Sequence, residues 1–141
     1  TVTVTNVETI VGGATNDTVT FGSAFTSSHN IDLGSGNDTL TLGNFANVAT
    51  ISNVETIVGG ASSDTLTLGA ALTGSESIDL GSGNDKLTLA DAANTGSISN
   101  VETLIGGTGA DIITVSTQLS KASVELFELM AAGVDAEAGA A

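Results

Sequence analysis

Cysteine and proline are both missing from the 141 residues, tryptophan and tyrosine are missing too, and the only aromatic side chains are four phenylalanines. Without cysteine there is no disulfide scaffold and no thiolate metal site, although a stack of coils needs neither. Basic residues are nearly absent. Lys86 and Lys121 face 16 acidic side chains, for a net charge of −14. Phosphate contacts need Lys and Arg, so this balance excludes nucleic acid as a partner and disfavours an anionic membrane surface. No apolar run approaches the roughly 18 residues of a membrane span, so no membrane insertion is expected. His29 is the only histidine, and no Gly-Lys-Ser or Gly-Lys-Thr follows any glycine-rich turn. Acid–base chemistry needs two differently tuned groups in a cleft, and phosphate chemistry needs the lysine, so an enzyme is not expected.

What is present is glycine, with 18 copies, and Thr alternating with Leu, Ile or Val. Residues 34–42 read Gly-Ser-Gly-Asn-Asp-Thr-Leu-Thr-Leu: a polar turn ending in Asp38, then a short strand with one apolar face. Variants of this unit begin at Gly13, Gly60, Gly81 and Gly107 and reach Asp17, Asp64, Asp85 and Asp111. The nine residues from Asn6 to Ala14 recur at Asn53 to Ala61, a shift of 47, and a third copy starts at Asn100. Ile31 to Asp38 recurs at Ile78 to Asp85, again 47 residues on.

A unit of this size cannot bury its apolar face alone, but a stack of units can. The aspartate spacings, 21 from Asp17 to Asp38 and 26 from Asp38 to Asp64, predict alternating coils of 21 and 26 residues. The fold expected is an all-β, right-handed parallel β-solenoid or β-roll of about five coils, its hand set by the preferred crossover sense. Ile10, Ile31, Ile57, Ile78 and Leu104 would form one inner column, and Val19, Leu40, Leu66, Leu87 and Ile113 another. Glu8, Glu55, Glu76 and Glu102 fall at equivalent positions, with His29 as a surface replacement in that column. The stretches 43–53 and 90–100 read as long loops on the side opposite the aspartates. Residues 1–116 form the solenoid, and 117–141 hold a short helix and tail. Ser120 is the N-cap of that helix and Gly133 its C-terminal stop, and the helix caps the last coil or connects it onward. With Thr1 first and no leader visible, the chain reads as a piece of a longer protein.

A glycine-rich bend offers closely spaced backbone carbonyls, and a fixed aspartate adds an anionic oxygen. Calcium takes six to eight such ligands. The five aspartates then form a single column along one side, with calcium held between successive coils. Here the sequence resembles the RTX family of glycine- and aspartate-rich nonapeptide repeats, Gly-Gly-x-Gly-x-Asp-x-hydrophobic-x. Gly106, Gly107, Gly109 and Asp111 fill the glycine and aspartate positions of one copy. Gly34, Gly36, Asp38 and Gly81, Gly83, Asp85 fill two more, while Thr15 and Ser62 stand at the third glycine of the copies that end in Asp17 and Asp64. The resemblance implies a calcium-binding β-roll of a secreted or cell-surface bacterial protein, such as a surface layer, adhesin or extracellular fibre. It also makes identical subunits or other domains of a larger chain the natural partners. A carbohydrate- or protein-binding module built on the long loops is the alternative, as is a metal-free solenoid whose turns are plain bends.

Overall fold

The segment Thr-Leu-Thr-Leu at 65–68 shows in miniature why this chain makes strands. Its threonines are exposed and its leucines buried, the period of two that suits β-branched residues outside and aliphatic ones inside. The computed structural model describes residues 1–26 and 29–117, and thirteen such strands follow one another there. They are β1 (Val2–Val4), β2 (Thr9–Val11), β3 (Thr18–Phe21), β4 (His29–Asp32), β5 (Thr39–Thr41), β6 (Val48–Ser52) and β7 (Thr56–Gly60). Then come β8 (Thr65–Leu68), β9 (Thr73–Gly81), β10 (Lys86–Thr88), β11 (Thr95–Ser99), β12 (Thr103–Ile105) and β13 (Ile112–Val115).

Odd-numbered strands form one seven-stranded sheet and even-numbered strands one six-stranded sheet, each in sequence order. Every pairing is parallel. The chain therefore winds as a parallel β-solenoid of about six turns, two strands to a turn. In the first sheet, Val2, Val19, Leu40, Ile57, Ile78, Ile98 and Val115 stack in one unbroken register. Facing it in the second sheet are two columns, one of Ile10, Ile31, Ile51 and Leu68, and beside it one of Ala49, Leu66, Leu87 and Leu104. The side chains between the sheets are the core, with Leu33, Leu40, Leu66, Leu80 and Leu87 fully buried.

These registers correct the expected coils. Val2 pairs with Val19, 17 residues on, and Val19 with Leu40, 21 on. Strands come more often than the aspartate spacing of 21 and 26 allowed, because 43–53 and 90–100 are not loops: they contain β6 and β11. In those strands the inward residues are Ala49 and Ile51, and Gly96 and Ile98. A repeat of 47 residues thus holds five strands, or two and a half turns. Each copy of the same sequence lands on the opposite sheet. The predicted inner columns were accordingly mixtures of both sheets: Ile31 lies in the second and Ile57 in the first.

His29 is not on the surface. It is buried and packs at 4.7 Å from the ring of Phe25, which meets Phe21 edge-on at 4.0 Å. Its counterpart 47 residues on, Glu76, is buried too, in a bulge where Thr73 pairs with Thr95 and Ser77 with Ser97. Glu76 Oε2 accepts the N–H groups of Thr73, Gly74 and Ser75 at 2.8, 2.8 and 3.0 Å, and Oε1 the Thr73 hydroxyl at 2.8 Å. Burial works against this charge, but those hydrogen bonds outweigh it and hold the carboxyl below its ordinary range. The helix predicted over 119–132 lies outside the described residues.

Candidate metal centres on two rims

Two sheets joined turn by turn have two rims, and the glycine–aspartate turns divide between them. Asp17, Asp38 and Asp111 immediately precede β3, β5 and β13, on the rim that feeds the first sheet. Asp64 and Asp85 precede β8 and β10, on the rim that feeds the second. Gly34, Gly36, Gly107 and Gly109 go with the first rim, and Gly81 and Gly83 with the second. The predicted single column of five aspartates on one side is therefore two shorter ones. The odd number of strands per repeat is the cause.

Each rim carries a ladder of side-chain to backbone hydrogen bonds. On the first, Asp17 N–H donates to Asp38 Oδ1 at 2.7 Å and Asp38 N–H to Glu55 Oε2 at 2.7 Å. Further along, Leu72 N–H donates to Asn94 Oδ1 at 3.1 Å and Asn94 N–H to Asp111 Oδ1 at 2.9 Å. On the second, Phe25, Asn47, Asp64 and Asp85 donate in turn to Asn47 Oδ1, Asp64 Oδ1, Asp85 Oδ1 and Glu102 Oε2, at 3.2, 3.0, 2.6 and 2.7 Å. Each acceptor in these ladders thus uses one side-chain oxygen to hold the coil before it.

Glu55, Glu102, Asn47 and Asn94 are members that sequence reasoning missed. Glu55 and Glu102 end three-residue turns, Asn53-Val54-Glu55 and Asn100-Val101-Glu102, in which the asparagine takes a positive φ of 53°. Asn53 Nδ2 and Asn100 Nδ2 anchor these turns on Asp32 Oδ1 and Asp79 Oδ1, both at 2.7 Å. A turn this short sets the acidic residue farther back, and the extra methylene of glutamate regains the reach. The clue was the thrice-repeated Asn-Val-Glu, because asparagine tolerates the left-handed region.

The second oxygen of the aspartates is the exceptional feature. Oδ2 of Asp38, Asp64, Asp85 and Asp111 is buried and accepts no hydrogen bond. A buried, unpartnered carboxylate oxygen is costly unless a cation meets it. Among the described residues no three acidic or histidine side chains converge as a metal cluster. A cation held here would meet these unpartnered carboxylate oxygens and the carbonyls of the turns, a donor set entirely of oxygen. That is the chemistry calcium prefers.

The environment of the carboxyl groups carries the same cost. Burial pushes the Asp85 carboxyl up to about 6 from an ordinary 3.8, against the Asp64 N–H bond that lowers it, and the charges of Asp64 and Glu102 push it further up. Burial also raises Asp64, against the hydrogen bonds from Asn47 and a smaller contribution from the Gly60 backbone. Between pH 3.8 and 6 the folded, metal-free chain holds a proton on Asp85 that the unfolded chain has released. Raising the pH through that window therefore destabilises the fold. Glu76 works in the opposite sense, its contribution being lost as the pH falls below its ordinary 4.5. In chelator, the melting temperature should fall from pH 4.5 to 7, and saturating calcium should flatten or reverse that slope. A chelator melting temperature that rises over the same range would rule this out.

No curated protein and no solved structure gives a significant match. The family model described as the RTX calcium-binding nonapeptide repeat matches in four copies, at residues 5–23, 30–49, 52–87 and 99–115. Those segments are more than half of the chain and take in both rims. With its glycine–aspartate turns, parallel coils and unpartnered carboxylate oxygens, the chain belongs to the RTX calcium-binding nonapeptide repeat family.

Proposed function

We propose that this calcium-stabilised structural repeat module is part of a secreted or cell-surface bacterial protein, serving as a section of a surface layer, an adhesin stalk or an extracellular fibre. The repeat family is calcium-binding and structural rather than catalytic. The observation that carries the reading is the set of four buried, unpartnered Oδ2 atoms on the rims. Asp17, Asp38, Asp64, Asp85 and Asp111 are the proposed carboxylate ligands, with Gly34, Gly36, Gly81, Gly83, Gly107 and Gly109 supplying the close backbone of the turns. Bound calcium supplies the positive charge that lets stacked carboxylates sit one rung apart. Calcium modules of extracellular proteins bind at roughly 10⁻⁴ to 10⁻³ M, which suits a coil that closes only once outside the cell.

The net charge of −14 favours the same reading, since two lysines cannot offset it. Val2 and Val11, 49% and 77% exposed, leave the first coil with apolar surface that a further coil or an identical subunit would cover. A right-handed winding and a C-terminal helix in 117–141, capping or connecting the solenoid of 1–116, complete the proposal. The binding-module alternative loses its loops, because 43–53 and 90–100 carry core strands.

Calcium titration of metal-stripped protein, followed by circular dichroism and light scattering, tests this. Strand signal and melting temperature should rise together with calcium, and growth in particle size would add self-assembly. A chain equally folded and equally stable in chelator and in millimolar calcium would overturn the calcium reading.

A further inference from the structure

The ladders contain two rungs that are not acidic, Asn47 and Asn94, both 0% exposed. Each uses Oδ1 as the aspartates do, accepting the N–H of the rung before it, from Phe25 at 3.2 Å and from Leu72 at 3.1 Å. The second side-chain atom, Nδ2, therefore stands where Oδ2 stands in Asp38, Asp64, Asp85 and Asp111. The amide orientation is fixed by its partners, since only Oδ1 can accept from a backbone N–H and only Nδ2 can donate to a carbonyl.

What Nδ2 touches is informative. Asn47 Nδ2 donates to Phe45 O at 2.7 Å, to Gly43 O at 3.3 Å and to Asp64 Oδ1 at 2.8 Å. Asn94 Nδ2 donates to Ala92 O at 2.8 Å, to Ala90 O at 3.0 Å and to Asp111 Oδ1 at 2.8 Å. In both places one electropositive group gathers two carbonyls of its own turn and a carboxylate of the next coil. That is an all-oxygen cage around a donor, and the four aspartate rungs have no donor at that position.

Resting on the calcium reading above, we infer that Asn47 and Asn94 are built-in stand-ins for the cation. Their amides close the steps from Asn47 to Asp64 and from Asn94 to Asp111 without metal, and calcium is confined to the steps above aspartate rungs. The two residues are 47 apart, so one step on each rim is closed this way. The solenoid then has metal-independent clamps on both rims and calcium-dependent steps elsewhere. A partly closed stack in chelator, completed by calcium, follows from that division.

The test is Asn47→Asp and Asn94→Asp, singly and together, with bound calcium counted by calorimetry and by metal analysis after gel filtration. Melting is followed in EDTA and in saturating calcium. Each substitution should lower the melting temperature in EDTA, recover it in calcium, and add one bound calcium ion. Asn47→Ala, which supplies neither donor nor charge, should be destabilised equally in both buffers. An unchanged calcium count, or an aspartate variant that stays destabilised or unfolded at saturating calcium, overturns the inference. A wild type that binds no calcium would overturn the proposed function instead. The gain of calcium on Asn→Asp substitution would still decide the role of the amides.

Discussion

Gly81→Val is expected to destabilise the folded, calcium-saturated protein by about 4 kcal/mol, enough to consume much of the stability of a domain this size. Two independent costs add at this position. Gly81 sits at φ +84°, a region costing a side-chain-bearing residue roughly 1–2 kcal/mol and one that a β-branched residue almost never adopts. A β-carbon there would also run into the carbonyl oxygen of Gly60 on the preceding coil, which already accepts Ser82 N–H at 3.1 Å. Backbone cannot swing aside as a side chain can, so relief means separating two rungs, at a further 1–3 kcal/mol or so. Gly34 repeats the arrangement on the opposite rim at φ +88°, stacked on Gly13 O, and should respond alike. Gly13 itself has nothing within 4 Å of where a β-carbon would lie, and Gly13→Ala should be close to neutral. Urea unfolding of the three variants in calcium would read the series. A Gly81→Val within about 1 kcal/mol of wild type would mean that these rungs are not in contact.

The contrast between Gly81 and Gly13 shows what the sequence does and does not carry. Alternation in segments such as Thr65–Leu68 made the strands and their buried faces legible, and parallel stacking followed because no single unit has a core. The glycine–aspartate turns were legible as turns for the same local reason. Parity was not. Whether Asp38 and Asp64 share a rim depends on how many strands lie between them, and that number turned on Val48–Ser52. Its inward residues, Ala49 and Ile51, flank a threonine in an ordinary strand pattern, but the neighbouring Gly43, Asn44 and Asn47 made the whole stretch look like a bend. One strand missed per repeat put Asp64 and Asp85 on the wrong rim. His29 was misplaced for a related reason: its ring contact Phe25, which in turn meets Phe21, lies in the connection before β4, and no spacing in the sequence brings these rings together.

Asp85→Asn should have opposite effects in chelator and in calcium, which no ordinary loss of a contact would produce. In chelator the wild type carries a buried carboxylate whose Oδ2 has no donor, one rung from Asp64 and one from Glu102, both of which repel it. Asparagine keeps an Oδ1 to accept Asp64 N–H, now made at 2.6 Å, and replaces the unpartnered oxygen by an NH₂ group. That group would meet its own turn as Asn47 does, turning a costly unsatisfied atom into a donor. A gain on the order of 1–3 kcal/mol is expected in EDTA, with the melting temperature rising accordingly. The fall in chelator stability between pH 4.5 and 7 should flatten as well, because the carboxyl raised to about 6 is gone. In calcium the same exchange removes an anionic ligand, so affinity at that step should drop roughly 100-fold, about 2.7 kcal/mol. Asp85→Ala separates the two contributions: it loses the ladder acceptor as well as the charge and should be less stable than asparagine in both buffers. Thermal melts of the three proteins, each in EDTA and in calcium, decide the matter. Asparagine at 85 proving less stable than aspartate in EDTA would mean that the unpartnered oxygen is not under strain, and the argument that the rims demand a cation would fail with it.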